Sequence, residues 1–105
     1  MDKVVNIVKK TLEDHKAEDI FVIDVKERTP FADFYVLATA NNIRQINALA
    51  ELVKEELSKN KIEVNHIEGT PESGWMLIDA YHVIVNIFSV EERQRVSLDQ
   101  VLTRK

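Results

Sequence analysis

The sequence contains no cysteine, and it has only two glycines and two prolines among 105 residues. The absence of cysteine excludes disulfide bonds, thiolate metal sites and cysteine nucleophiles. The scarcity of glycine and proline leaves little room for a flexible linker or a low-complexity tail. No apolar run approaches the roughly 20 residues that a transmembrane helix needs, and the charged N-terminal pattern lacks the apolar segment of a signal peptide. We therefore expect a cytoplasmic protein that forms one domain over residues 1–105.

The charge balance is slightly acidic, with 14 basic and 18 acidic side chains and a net charge of −4. Such a chain has no overall attraction for nucleic-acid phosphates. Its small C-terminal basic cluster is compatible with a minor contact to ribosomal RNA, but it does not make a dedicated nucleic-acid-binding module. That cluster consists of Arg93, Arg95, Arg104 and Lys105. A partner attracted over long distances is therefore expected to be basic.

The spacing of apolar residues predicts the element order α-β-β-α-β-β-β-α, that is, an α/β (α+β) fold with a mixed five-stranded sheet and two main helices. Asp2 is a suitable N-cap for the first helix, and Asn42 followed by Gln45 resembles a capping box at the start of the longest one. The predicted helices span residues 3–15, 42–59 and 91–102. The predicted strands span residues 20–25, 33–39, 61–68, 75–79 and 82–88.

The second strand, the long helix and the third strand form a β-α-β unit, so these two strands should be parallel with a right-handed crossover. Two helices cannot cover both faces of a five-stranded sheet. If both helices lie on one face, the other must be covered by the short C-terminal segment, by a second copy or by a partner. This arrangement favours a binding protein.

Residues 74–88 predict a β-hairpin that organises the rest of the chain. With Ala80-Tyr81 as the turn, the pairing joins Asp79 to His82, Leu77 to Ile84 and Trp75 to Asn86, and all six side chains share one face. The opposite face carries only the apolar residues Met76, Ile78, Val83, Val85 and Ile87. The hairpin is therefore predicted to have one buried face and one half-exposed face.

Trp75, on the half-exposed face, has two interpretations. It either packs on the sheet as part of the core or serves as a large amphipathic anchor for a partner. The pairing favours the anchor slightly.

The residues that could carry chemistry do not form a catalytic or metal site. Asp79 and His82 could touch as a base and its orienting group do, but no nucleophile accompanies them, and a surface ion pair is the simpler interpretation. The three histidines, His15, His66 and His82, follow no metal-ligand spacing.

Phosphate chemistry is also disfavoured. Gly69 and Gly74 do not complete a phosphate-binding loop, because Trp75 follows where lysine is required. A nucleotidyltransferase would need a Gly-Ser turn and paired acidic metal ligands. Ala40 and Asn41 stand where that turn would be, and Asp79 has no second acid two residues away.

The sequence resembles the ribosomal silencing factor (RsfS, or Iojap) family. Residues 33–46 match its D-F-x-V-I-A-T-G-x-S-x-R-Q-V stretch, and residues 68–69, 75–79 and 83–88 match its E-G, W-x-x-x-D and V-I-V-H-V-F segments. Arg93, Leu98 and Asp99 fit its C-terminal R-x-x-Y-x-L-E run. The resemblance covers nearly the whole chain, and its specificity lies in the order and spacing of the set. The chain departs from the pattern at Ala40, Asn42, Tyr81, His82, Asn86, Val96 and Leu102, and Tyr81 takes a glycine position of the family turn.

The resemblance implies a non-enzymatic protein with a nucleotidyltransferase-like fold. It implies binding to the large ribosomal subunit through its fourteenth protein, which blocks joining of the small subunit and lowers translation when nutrients are scarce. It also implies a homodimer, and it implies no cofactor, DNA, membrane or small-molecule substrate. Two other functions stay open: a nucleotidyltransferase-like enzyme, and a self-associating module without a ribosomal role.

Six partner-binding residues are carried over from the resemblance: Asp33, Arg44, Gln45, Glu68, Trp75 and Asp79. Glu68 and Asp79 suit a basic ribosomal surface, and Trp75 suits an apolar anchor. Arg44 and Gln45 either contact the partner or only fix the start of the long helix.

Overall fold

The computed structural model describes residues 2–96. The predicted element order is confirmed, whereas residues 97–102 of the predicted last helix lie outside the described residues. The helices are α1 (Lys3–Asp14), α2 (Ile43–Lys59) and α3 (Val90–Val96). The strands are β1 (Glu18–Asp24), β2 (Phe34–Ala40), β3 (His66–Thr70), β4 (Trp75–Ala80) and β5 (Val83–Ser89), and a 3-10 turn spans Pro71–Ser73.

The five strands form one mixed sheet in the order β1-β2-β5-β4-β3. Strands β2 and β5 are parallel, and every other neighbouring pair is antiparallel. It follows that β2 and β3 run in the same direction, as predicted, although the β4–β5 hairpin lies between them. The hairpin takes the central position because β5 carries an almost fully apolar sequence that is buried on both faces.

The third strand begins later than predicted, at His66 and not at residue 61. Ile62 and Val64 alternate as strand residues do, and both pack against the main core. However, the backbone N–H of Ile62 donates to Leu57 at 2.9 Å, and that of Lys61 donates to Ser58 at 2.9 Å. The segment therefore completes the end of α2, and its apolar alternation reflects packing and not strand pairing.

Both long helices begin at the predicted caps. Asp2 Oδ1 accepts from the backbone N–H groups of Val4 at 2.8 Å and Val5 at 3.1 Å. Asn42 Oδ1 accepts from the Gln45 N–H at 2.8 Å. Gln45 Oε1 accepts from the backbone N–H of Asn41 at 2.7 Å, one residue before the cap. The second half of the predicted capping box is thus displaced by one residue.

Helices α1 and α2 pack on the same face of the sheet, where they bury the main core. The apolar stripes of the two helices meet inward-facing side chains of all the central strands, and burial of such surface is the dominant favourable term in folding. A smaller cluster lies on the opposite face and contains Ile23, Val25, Ala32, Leu37 and Phe88. The two faces of the sheet are therefore covered very unequally.

The turn of the hairpin differs from the prediction by one position along the chain. The loop residues are Tyr81 and His82, and the pairs are Ala80 with Val83, Asp79 with Ile84, Leu77 with Asn86 and Trp75 with Phe88. The predicted pairings of Asp79 with His82, Leu77 with Ile84 and Trp75 with Asn86 are therefore wrong by two residues.

A shift of two residues leaves every side chain on its original face, because side chains alternate with a period of two. The predicted faces are accordingly confirmed for the strand residues, whereas His82 lies in the loop. The five apolar residues of the inner face are all buried: Met76, Ile78, Val83, Val85 and Ile87.

The predicted contact between Asp79 and His82 is replaced by another one. His82 Nε2 contacts Asp2 Oδ2, so the loop of the hairpin is joined to the N-cap of α1. Burial alone would raise the pKa of Asp2, but the hydrogen bonds from His82 and Val5 and the charge of His82 outweigh it. The pKa therefore lies below its ordinary value of 3.8.

Asp2→Asn is expected to reduce stability at neutral pH by about 0.5–1 kcal/mol, because asparagine caps equally well but lacks the charge. A carboxyl whose folded-state pKa is lowered contributes stability above its unfolded-state pKa and loses it as the pH falls through the folded-state value. The difference between the two proteins should therefore disappear at a pH below 3.8. Urea unfolding over this pH range measures it. Glu13→Gln, an exposed change on the same helix, is the control and should show no such dependence.

Candidate partner-binding surface on the open face of the sheet

The face opposite α1 and α2 is called here the open face. Strand register places fourteen side chains on it: Phe21, Ile23, Tyr35, Leu37, Thr39, His66, Glu68, Thr70, Trp75, Leu77, Asp79, Ile84, Asn86 and Phe88. Ala32 and Val96 cover part of it. Leu77 and Ile84 nevertheless remain partly exposed, and Phe21 is 41% exposed. The described part of the chain thus leaves apolar surface of this face in contact with solvent.

Trp75 is the first residue of β4 and lies on the open face. Its ring stacks on Phe88 with centroids 5.0 Å apart and a tilt of 35°. Its Nε1–H donates to Asn86 Oδ1 at 3.1 Å, and the side chain is half-buried. Trp75 therefore packs on the sheet, as the first interpretation predicts, and part of its indole remains in contact with solvent. Its role as an anchor for a partner stays a prediction.

Beside Trp75 there is a cavity of about 380 Å³, called here the Trp75 groove. It lies between the β3–β4 edge of the sheet and α3. Its lining residues are Glu68, Gly69, Ser73, Trp75, Leu77, Glu92 and Arg95. An apolar wall is thus combined with carboxylates on two sides.

Acidic side chains border the apolar part of the open face. Glu68 on β3 pairs with Leu77 on β4. Asp79 lies on β4, two residues after Leu77. Glu68 is exposed, and its Oε1 lies 2.9 Å from His66 Nε2. Asp79 is partly exposed. Carboxylates beside an indole and a leucine match the charged head and aliphatic stem of a basic side chain.

The other three predicted residues lie away from the groove. Asp33 precedes β2 at the end of the sheet, where its N–H donates to the carbonyl of His82 at 2.8 Å. Arg44 is exposed in the first turn of α2, on the opposite side of the sheet. Gln45 Nε2 donates to the carbonyl of Lys16 at 3.3 Å, which together with its bond to Asn41 ties α2 to the α1–β1 connection. The structure thus places Glu68, Trp75 and Asp79 on the open face, where Glu68 and Trp75 line the groove. It accounts for Gln45 by local contacts.

Helix α3 contributes Glu92 and Arg95 to the groove. In the sequence, Arg95 stands out only as part of the C-terminal basic cluster, and Glu92 does not stand out. Arg95 donates to Glu92 through Nε at 3.0 Å and through Nη2 at 2.8 Å. Arg93 Nη1 donates to Thr39 Oγ1 on the open face at 2.9 Å. The only sequence signal was an arginine-rich turn after an apolar strand. The placement of that turn beside Trp75 depends on tertiary contacts.

Among residues 2–96, no three histidine or acidic side chains converge closely enough to hold a metal ion. In the same part of the chain, none of the helices has the length and apolarity required to cross a membrane.

Asn86→Leu is expected to release the indole of Trp75 while changing the free energy of unfolding by less than about 1 kcal/mol. Asn86 is 1% exposed, and its Nδ2 has no partner among the described residues. The loss of one hydrogen bond is therefore offset by removal of a buried unsatisfied donor. Because Trp75 is the single tryptophan, its indole N–H gives one resonance in a heteronuclear NMR spectrum. This resonance should move upfield in Asn86→Leu. In Asn86→His, which retains an acceptor, the resonance should stay closer to its native position.

Comparison with known proteins shows which family this chain resembles. The model of the family "Ribosomal silencing factor during starvation" matches residues 1–104. A ribosomal silencing factor RsfS from Bacillus subtilis is 30% identical over 98 residues, which cover 93% of this chain and 83% of that protein. The chloroplastic protein Iojap of Arabidopsis thaliana is 30% identical over 90 residues, covering 86% of this chain and 37% of that protein.

Solved structures agree with the sequence relatives. A crystal structure of a protein from Chromobacterium violaceum superposes with a TM-score of 0.93 at 25% identity and covers 100% of this chain and 89% of that one. A second, from Bacillus halodurans, has a TM-score of 0.84 at 26% identity and covers 94% of this chain and 92% of that one. With the family match over residues 1–104, these similarities show that the chain belongs to the ribosomal silencing factor (RsfS) family.

Proposed function

We propose that this protein binds the large ribosomal subunit through the open face, at the fourteenth protein of that subunit, and blocks joining of the small subunit. Family membership supports a ribosomal partner in the cytoplasm. The observation that carries the proposal is the half-buried Trp75 on a sheet face that the described chain covers only in part. Repression of translation under nutrient limitation follows when enough large subunits are occupied.

The chemistry of the open face suits a basic protein surface. The net charge of −4 favours encounter with a positively charged partner. Glu68 and Asp79 place carboxylates beside the apolar surface of Trp75 and Leu77. An aromatic anchor with an acidic border is a common composition for the centre and rim of a protein interface.

The proposed mechanism is steric and not enzymatic. A bound protein of 12.1 kDa on the intersubunit surface prevents contact between subunits by its volume alone. Such a mechanism needs affinity and a defined orientation, which a rigid sheet with a fixed tryptophan provides. It needs no nucleophile, general base or metal.

A homodimer is proposed as a second use of the same apolar face, because exposed Phe21 and partly exposed Leu77 and Ile84 would also be buried against a second copy. In that case dimerisation and ribosome binding compete. Light scattering of the protein alone, followed by titration with large subunits, measures this competition. Dimers that persist in the ribosome-bound fraction would exclude a shared face.

Binding to purified ribosomal subunits tests the main proposal. The protein should co-sediment with large subunits and not with small ones. In a reassociation assay it should lower the fraction of joined ribosomes in proportion to the large subunits occupied. Failure to co-sediment would overturn the binding proposal, and co-sedimentation without any effect on joining would overturn the steric mechanism. Incubation with labelled nucleotide and Mg²⁺ tests the enzyme alternative, in which nucleotide transfer would be detected.

A further inference from the structure

The Trp75 groove already contains a guanidinium group. Arg95 reaches Glu92 with Nε 3.0 Å from Oε1 and Nη2 2.8 Å from Oε2, which is a two-pronged pairing of guanidinium with carboxylate. Such pairing is specific for arginine, because lysine presents only a point charge. The groove therefore has the geometry that recognises arginine.

The acceptor in this pair is less exposed than the donor. The Glu92 side chain is 22% exposed and that of Arg95 is 69% exposed. The Glu92 backbone N–H donates to Ser89 Oγ at 3.1 Å. Gly74 lies so close that a Cβ there would be 2.9 Å from Glu92 Cγ. Arg95 is therefore the more accessible of the two partners.

The remaining walls complete a site for a long basic side chain. Leu77 offers apolar surface to an aliphatic stem, and the indole of Trp75 offers a π-surface to a guanidinium. Glu68 adds a second carboxylate to the lining. The hydrogen bond from Arg95 keeps the pKa of Glu92 below its ordinary value.

We propose that the Trp75 groove receives an arginine side chain from the basic protein partner, and that Arg95 is an internal competitor that occupies Glu92 in the free protein. This inference rests on the proposed function, since it names the chemistry of the partner at the same surface. Exchange of one guanidinium for another conserves the charge pair. An exposed ion pair between residues three apart contributes little stability, so Arg95 is readily displaced.

The first experiment examines the groove without ribosomes. N-acetyl-arginine amide is titrated into the protein while the indole N–H resonance of Trp75 is followed by NMR. A saturable shift is expected. The probe concentration at half-saturation should be lower for Arg95→Ala than for the wild-type protein, and higher for Glu92→Gln. N-acetyl-lysine amide should give a weaker effect. The pH and buffer composition are kept constant during the titration. If the arginine probe then causes no shift of the indole resonance, the inference is overturned.

The second experiment measures affinity for large subunits. Arg95→Ala should tighten binding by roughly three- to tenfold, and Glu92→Gln should weaken it by about tenfold. Lys54→Ala and Glu51→Gln make the same charge changes on the exposed surface of α2 and control for long-range attraction. If wild-type protein binds but the affinities of the groove variants differ from it no more than those of these controls, the inference is wrong and the proposed function stands. If wild-type protein does not bind large subunits, the proposed function fails, and the arginine titration still decides whether the groove recognises a guanidinium.

Discussion

Gly69→Ala is expected to lower the free energy of unfolding by about 3 kcal/mol, a large fraction of the stability of a domain of this size. Gly69 has φ of 84°, a conformation that costs other residues roughly 1 kcal/mol. A Cβ at this position would also lie 2.1 Å from the carbonyl oxygen of Trp75. That oxygen belongs to the backbone of the neighbouring strand, so the β3–β4 pair must separate locally to accept the methyl group.

Gly74→Ala is the matched control for this prediction. Its φ of 82° imposes the same backbone cost. Its Cβ, however, would meet only side-chain atoms, namely Ser89 Oγ at 2.8 Å and Glu92 Cγ at 2.9 Å. Because side chains can rotate, we expect a loss of about 1–2 kcal/mol. Urea unfolding of both variants measures the difference, and equal losses would show that the backbone contact at Gly69 is unimportant.

The faces of the hairpin could be predicted from the sequence, but its turn could not. Apolar and polar residues alternate along residues 75–88, and this period of two determines which side chains share a face. The pattern is unchanged when the pairing shifts by two residues, so turns at Ala80-Tyr81 and Tyr81-His82 satisfy it equally. The structure selects the second turn, which places Tyr81 at φ 64°. That strain is worth only about 1 kcal/mol, and the contact between His82 and Asp2 contributes in the opposite direction.

Strand neighbours were less predictable than strand directions. The β-α-β pattern indicates that β2 and β3 are parallel, but it does not say what lies between them. The insertion of β4 and β5 follows from the burial of both faces of β5, including Asn86 and Phe88. An apolar run of this kind is typical of a central strand, and this criterion would have placed β5 correctly.

The candidate site was predicted in part for the same physical reasons. Glu68, Trp75 and Asp79 share a face because they occupy alternate positions on two adjacent strands. The positions of Glu92 and Arg95 relative to Trp75 depend on how α3 folds back over the sheet, which no local periodicity encodes. The close approach of Gly74 to Ser89 and Glu92 sets this geometry.

The combination of Trp75→Ala and Asp79→Lys is expected to weaken binding to the large ribosomal subunit by at least roughly 100-fold, which abolishes co-sedimentation. The first change removes the proposed aromatic anchor from the open face. The second replaces an attractive carboxylate by a charge that repels a basic surface. Each single variant should have a smaller effect, of about tenfold, because the remaining group still contributes.

The fold should survive this double substitution. Trp75 belongs to the edge of the smaller cluster and is half-buried, while the main core under α1 and α2 is formed by other side chains. Circular dichroism and urea unfolding check this requirement before binding is measured. Glu51→Lys, which makes the same charge change on the exposed side of α2, should leave binding nearly unchanged. A folded double variant that still co-sediments with large subunits would show that the partner occupies another surface, and the exposed apolar residues of the open face would then need a different occupant.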